Sequence, residues 1–205
     1  MVRRITMTPA ASRALEAAGR LFYEHGIHAV GVDLIAAEAG VTKKTLYDRF
    51  GSKEQIVVEY LADRDERWRV FLDGYLDAAE GPRVLAVFDA SRAWAAQHSP
   101  KGCGMVNAHA EISDTSHPAH PIIIGQKEWM LALFTDLVRD VTPDADRMGQ
   151  TLLLLHEGAL VANGFGTFPD AIGHARDQAA ALLAASPGHG RAVPGEEAPG
   201  GSVLG

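Results

Sequence analysis

The chain has 205 residues, 47% hydrophobic and 22% charged, with a net charge of −7. That length and composition suit a soluble globular protein with one large or two small domains and ample material for a core. No apolar run approaches the roughly 18 residues of a membrane span, and residues 1–8 lack a signal peptide's apolar core. The single cysteine, Cys103, excludes an internal disulfide framework and fits a reducing cytoplasm, so a cytoplasmic protein with no membrane partner is expected.

The charge is unevenly spread. Residues 1–53 carry 8 Lys+Arg against 5 Asp+Glu, and the remainder carries 11 against 21. A basic first quarter on an acidic body suits a molecule that holds one end against nucleic acid. Non-specific, architectural binding is disfavoured, because it rests on many phosphate contacts.

Residues 1–8 read as a flexible basic arm, in which Arg3 and Arg4 either reach DNA or are simply solvated. Pro9 suits the first turn of a helix running to about His25, with Leu15, Ala18, Leu21 and Phe22 inward and Gly26 ending it. The stretch DLIAAEAGVTKKTLYDRFGSK, residues 33–53, then reads as two short helices joined by a tight turn. Ile35, Ala36 and Ala39 form the inward stripe of the first, and Leu46 and Phe50 that of the second. Gly40 permits the sharp turn, Val41 plugs it, and Thr42 caps the next helix. Lys43, Lys44, Thr45, Tyr47 and Arg49 occupy faces that Leu46 and Phe50 leave free. A short helix with a packed back and such a front suits the major groove. Gly51 breaks the chain, and Ser52 caps a long helix from Lys53 to about Leu76. Its exposed first amides, with Lys53, make a phosphate site.

TLYDRFGSKEQI, with VDLIAAEAGV before it, resembles the DNA-binding domain of TetR-type bacterial transcriptional regulators over roughly residues 9–60. Arg49 stands where that family often has His and keeps the position basic. The resemblance implies an all-α fold: a three-helix DNA-binding head at 9–52 on a six-helix body at 53–186. It also implies that Tyr47 and Lys53 contact the DNA backbone, that the body binds a small-molecule effector, and that its last two long helices form a homodimer.

The charged run from Asp63 to Arg69 reads as a solvated helix face. After Gly81-Pro82 a helix carries Leu85, Phe88, Ala93 and Trp94 to about His98. A Gly-, Ser-, His- and Pro-rich segment follows, in which MVNAHAEI can form one short helix. Its layout is similar to the body of a subset of TetR-type proteins. Helical patterns resume at roughly 119–141, 144–164 and 168–185. The 150–164 stretch is apolar around more than half its circumference, so that one face is left for a partner. Residues 187–205, with six Gly and three Pro, read as a disordered tail.

Chemistry-bearing candidates are few. His109, His117 and His120 cluster in sequence with Cys103, Glu111 and Asp114, yet their spacings match no recurrent zinc pattern, and no metal or other cofactor is expected. Cys103, with Lys101 as its neighbouring cation, reads as an incidental thiol. No nucleophile elbow, phosphate loop or dinucleotide fingerprint stands in a strand-to-helix context, so no enzyme is expected. Trp94, Met105, Trp129, Met130 and Phe134 can line a pocket with Asn107, His109 and His156 as polar contacts, or can equally be core.

The expected function is a repressor. It would be released from a pseudo-palindromic operator on double-stranded DNA by an effector in the body. On that reading Thr42, Lys43, Lys44, Thr45, Tyr47, Arg49 and Lys53 meet the DNA. The alternative is a helical small-molecule-binding or enzymatic protein with a vestigial head.

Overall fold

Side-chain caps start most of the helices. In the computed structural model, which describes residues 5–186, Thr8, Thr42, Ser52, Asp144 and Asp170 each accept the backbone N–H three residues on. Such a cap satisfies a donor that the helix leaves orphaned, a contribution of about 1 kcal/mol. The described residues form nine α-helices and no strand: α1 (Pro9–His25), α2 (Val32–Glu38), α3 (Lys43–Phe50), α4 (Lys53–Asp77), α5 (Arg83–His98), α6 (Gly104–Glu111), α7 (His120–Val138), α8 (Ala145–Phe165) and α9 (Ala171–Ala185). The fold is all-α. Arg3, Arg4 and the 187–205 tail lie outside the described residues.

Two hydrophobic clusters organise these helices. The first holds α1–α3 together through Leu15, Phe22, Ile35, Leu46 and Phe50, with Ile56 to Leu61 of α4 beneath them. Met105, Ala108 and Ile112 of the α6 region and Ile123 of α7 complete it, so the head core extends into the body. The second cluster begins at Trp68 and joins α4 to α5, α7, α8 and α9 through Leu72, Phe88, Met130, Phe134, Leu152 and Ile172. Helix α4, 25 residues long and thus roughly 37 Å at 1.5 Å per residue, passes from one core into the other.

Three details depart from the sequence expectations. Residues 5–8, read as arm, include Ile5, whose N–H donates to Glu59 Oε1, and Thr8, which caps α1. Helix α9 starts at Ala171 rather than near 168, because Asp170 adopts a left-handed conformation (φ 54°) and caps Gly173 N–H. The Asp63–Arg69 run is not merely a solvated face. Arg64 lies over the Tyr23 ring, 4.8 Å from its centroid, and Asp65 is largely buried against Arg69 at 2.9 Å.

Candidate nucleic-acid interface and interior cavity

The turn between α2 and α3 is closed by local bonds. Gly40 takes φ +62°, and Val41 N–H donates to Ala36 O at 3.0 Å. Thr42 Oγ1 caps Thr45 N–H at 3.1 Å and lies 2.9 Å from Thr45 Oγ1. Leu46 and Phe50 are buried beneath α3, while Thr42, Lys43, Lys44, Tyr47 and Arg49 are exposed, and Thr45 and Lys53 are half-buried. The seven residues expected to meet DNA therefore line α3 and the start of α4. Two of the cations are engaged already: Lys43 Nζ is 3.0 Å from Asp33 and Lys44 Nζ is 2.6 Å from Asp48. These exposed pairs contribute little and can be exchanged for phosphate. Arg20 of α1 pairs with Glu38 of α2 at 2.6 Å, bracing the turn from behind.

The body holds a cavity of about 50 Å³ that is partly open to solvent. It lies between α4, α5, α7 and α8 and the 99–105 segment. Trp68 and Trp94 meet edge to face across 5.7 Å as part of its wall, with Met105 and Leu160. The polar lining comes from Arg64, Asp65, Ser91, Ser99, Cys103, Gln126, Lys127 and His156. Lys127 Nζ bridges both Glu157 carboxylate oxygens at 2.8 Å and stands 3.4 Å from Cys103 Sγ. Burial works to raise the Glu157 carboxyl, but the neighbouring His156 ring and the Lys127 ammonium outweigh it and hold it at about 2. Burial pushes the Asp65 carboxyl up, against the pull of Arg69. Ser91 Oγ donates to Val87 O, so the His156 ring presents an Nε2–H to Ser91 Oγ at 2.7 Å. His156 Nδ1, 3.6 Å from Glu157 Oε1, is beyond ordinary hydrogen-bond reach.

The 99–105 segment belongs to the cavity wall and to the head at once. Tyr23 of α1 donates its hydroxyl proton to Gly102 O at 2.9 Å and accepts Lys101 N–H at 2.8 Å. Lys101 Nζ reaches Glu24 O at 2.6 Å, and Glu111 Oε2 accepts His28 N–H at 2.8 Å. On its other side the segment presses on α8. Gly102 has φ +82°, and a Cβ on Gly164 would stand 2.8 Å from Gly102 N. Arg64, hydrogen-bonded to Ser99 Oγ and His98 O, separates the cavity from an open cleft of about 630 Å³ beside α1.

The family model for the bacterial regulatory proteins of the tetR family matches residues 14–60. No curated protein matches the chain in sequence. A TetR-family transcriptional regulator from Streptomyces coelicolor is 30% identical with a TM-score of 0.79, over 85% of this chain and 94% of its own. The chain belongs to the TetR family of transcriptional regulators. Regulators from Chloroflexus aurantiacus (TM-score 0.75, over 86% of this chain and 95% of theirs) and Rhodobacter sphaeroides (TM-score 0.72, 83% and 97%), each 22% identical, share its fold. TetR-family regulators bind DNA, dimerise and respond to small molecules. Among the described residues no helix is long and apolar enough to cross a membrane.

Within this TetR-family body the eight expected pocket residues divide. Trp94, Met105 and His156 line the cavity. Met130 and Phe134 are fully buried in the core behind it, Phe134 with its ring centroid 5.5 Å from that of His156. Trp129 lies under Arg69, whose guanidinium is 3.8 Å from the ring centroid. Asn107 donates to Lys101 O, and His109 is exposed on α6 beside His120. Arg64, Asp65, Gln126 and Lys127 were not anticipated. The cation within hydrogen-bond distance of Cys103 is Lys127, while Lys101 Nζ reaches Glu24 O. One sequence signal existed for Gln126: it sits with Ile123 and Met130 on the buried stripe of α7, where an amide is out of place.

Proposed function

We propose that this TetR-family regulator is a repressor that reads a pseudo-palindromic operator as a homodimer and leaves it when a small molecule fills the interior cavity. Thr45 and the α3 lysines read or approach base edges, and Arg49 extends the same basic face. Tyr47, Lys53 and Thr42 position α3 on phosphates. The dimer places two such faces in successive major grooves. Its interface uses the uncovered apolar faces of α8 and α9, where Leu154 is 75% and Phe165 80% exposed, with Phe168 and Leu182 beside them. Side chains of that size left in water support a partner surface.

The observation that carries the release step is the double role of the 99–105 segment. A ligand against Arg64, Ser99 and Met105 pushes on the piece of chain that Tyr23 and Lys101 tie to α1. Helix α4, anchored in both cores, turns that displacement into a change of head spacing. A ligand that favours the wrong spacing lowers operator affinity by its differential affinity for the two states.

Selecting bound sequences from a random duplex pool, at a stated salt concentration, tests the reading. Recovery of a two-fold-symmetric site is the expected result, and a promoter carrying that site should be silenced in a reporter strain. A folded dimer that enriches no sequence would sink it.

A further inference from the structure

We propose that the cavity takes a small, neutral, planar molecule that donates hydrogen bonds, with phenol as its simplest representative. The assignment of this molecule as effector rests on the release reading above; its chemical class rests on the cavity alone. The space of about 50 Å³ is roughly a third of the ~150 Å³ cavity that takes a benzene ring. Because the pocket is open on one side, a single ring of on the order of seven non-hydrogen atoms enters with its polar group inward and its far edge in the mouth. Trp68, Trp94 and Met105 give it flat, apolar walls suited to a ring.

The polar atoms set the rest. Gln126 is 7% exposed and His156 3%, yet Gln126 Oε1 and His156 Nδ1 are buried with no hydrogen-bond partner, as is Asp65 Oδ1. All three residues line the cavity. Gln126 Oε1 and Asp65 Oδ1 are acceptors, while His156 Nδ1 faces Glu157 at 3.6 Å, so the molecule that completes the two oxygens brings O–H or N–H groups. Charge narrows the class further. Asp65 is already matched by Arg69, and Lys127 by Glu157. The hydrogen bonds of Arg64 go to the neutral oxygens of His98 and Ser99, which leaves its charge to repel a cation. An anion would set its oxygens against Asp65 Oδ1 and Gln126 Oε1. A neutral donor suits both constraints.

Four ligands of one ring size separate the possibilities: phenol, toluene, benzoate and benzylamine. Each is titrated against the full-length protein without DNA at pH 7, where phenol is neutral, following tryptophan fluorescence. Phenol should bind about tenfold more tightly than each of the others, the discrimination worth one good hydrogen bond. In Gln126→Leu, checked by circular dichroism to be folded, phenol and toluene should come within about threefold of one another. Toluene, benzoate or benzylamine binding as well as phenol overturns the proposal, as does a folded wild type that binds none of the four. The wild-type series decides even if the variant fails to fold. Operator release is read separately: phenol that binds the cavity and leaves the operator complex intact overturns the release reading but not the ligand class.

Discussion

The front of α3 and the interior cavity solve opposite problems. The reading face keeps its polar side chains in water and leaves stability to Leu46 and Phe50 behind them. Its function is therefore separable from its fold. In the cavity the polar groups are buried or half-buried, so Lys127, Arg64 and Ser91 hold the body together, Lys127 through Glu157 behind it, while they line the place where a ligand is proposed to bind. Substitution on one surface should change binding without melting the protein, and on the other should change both.

The largest effect tests the first half of that contrast from behind. Phe50 is 4% exposed, and Phe50→Ala should cost about 3–5 kcal/mol, the usual penalty for emptying an aromatic site. Binding to every DNA sequence should fall together with the melting temperature. If binding collapsed with no loss of thermal stability, Phe50 would belong to the interface and not to its support.

The second half is tested at Lys127. Lys127→Met strands the Glu157 carboxylate with its side chain only 24% exposed. Because some water still reaches the pair, the loss should be about 2 kcal/mol, below the 3–5 of a fully buried broken pair. Adding Glu157→Gln should restore most of it, which a double-mutant cycle in urea measures. The same pair makes stability acid-sensitive. The carboxyl of Glu157 lies at about 2 when folded, against an ordinary value of 4.5. Its contribution is complete above the unfolded value, and it is lost as pH falls from 4.5 towards 2. Urea titrations at successively lower pH should show a shallower decline in Glu157→Gln than in wild type over that window. Parallel curves would mean that the pair contributes no net linkage.

This division also explains what the sequence made legible. The head is written in local signals: Thr42 and Ser52 cap helices three residues away, and Gly40 turns the chain between neighbours. All of that is visible within a dozen residues. The cavity is written in contacts between distant positions. Arg64 meets Ser99 35 residues on, and Lys127 meets Glu157 30 residues on. Helical periodicity shows that Trp94, Trp129, Met130 and Phe134 turn inward, but not which of them faces a void and which faces another side chain. Only Trp94 of those four lines the cavity. The Asp63–Arg69 run misled for the same reason. A charged face looks solvated until an aromatic ring and a carboxylate partner arrive from elsewhere in the fold.

A smaller effect sharpens the reading face itself. Lys53→Ala should weaken binding to all sequences alike and reduce the slope of log affinity against log salt by about 0.9, the signature of one lost phosphate contact. Thr45→Ala should leave that slope unchanged and relax the preferred base at one position in each half-site. Neither should shift the melting temperature appreciably, since Lys53 and Thr45 are only half-buried. An unchanged operator preference in Thr45→Ala would move base reading to the lysines.

The smallest expected effect bears on how the two regions speak to each other. Tyr23→Phe keeps the ring that Arg64 covers but removes the hydroxyl that donates to Gly102 O and accepts Lys101 N–H. Lys101 is exposed, so water can replace the phenol at its N–H, while buried Gly102 loses one hydrogen bond to its carbonyl, and the stability loss should be about 1 kcal/mol. Operator affinity without ligand should change little, because α3 and its packing are untouched. What should fall is the coupling: saturating cavity ligand should release the operator less completely than in wild type, with ligand affinity for the free protein nearly unaltered. Equal release in both proteins would leave α4 as the sole connection. Partial loss would divide the coupling between the long helix and the clasp at Tyr23, and the residual ratio would measure the share each carries.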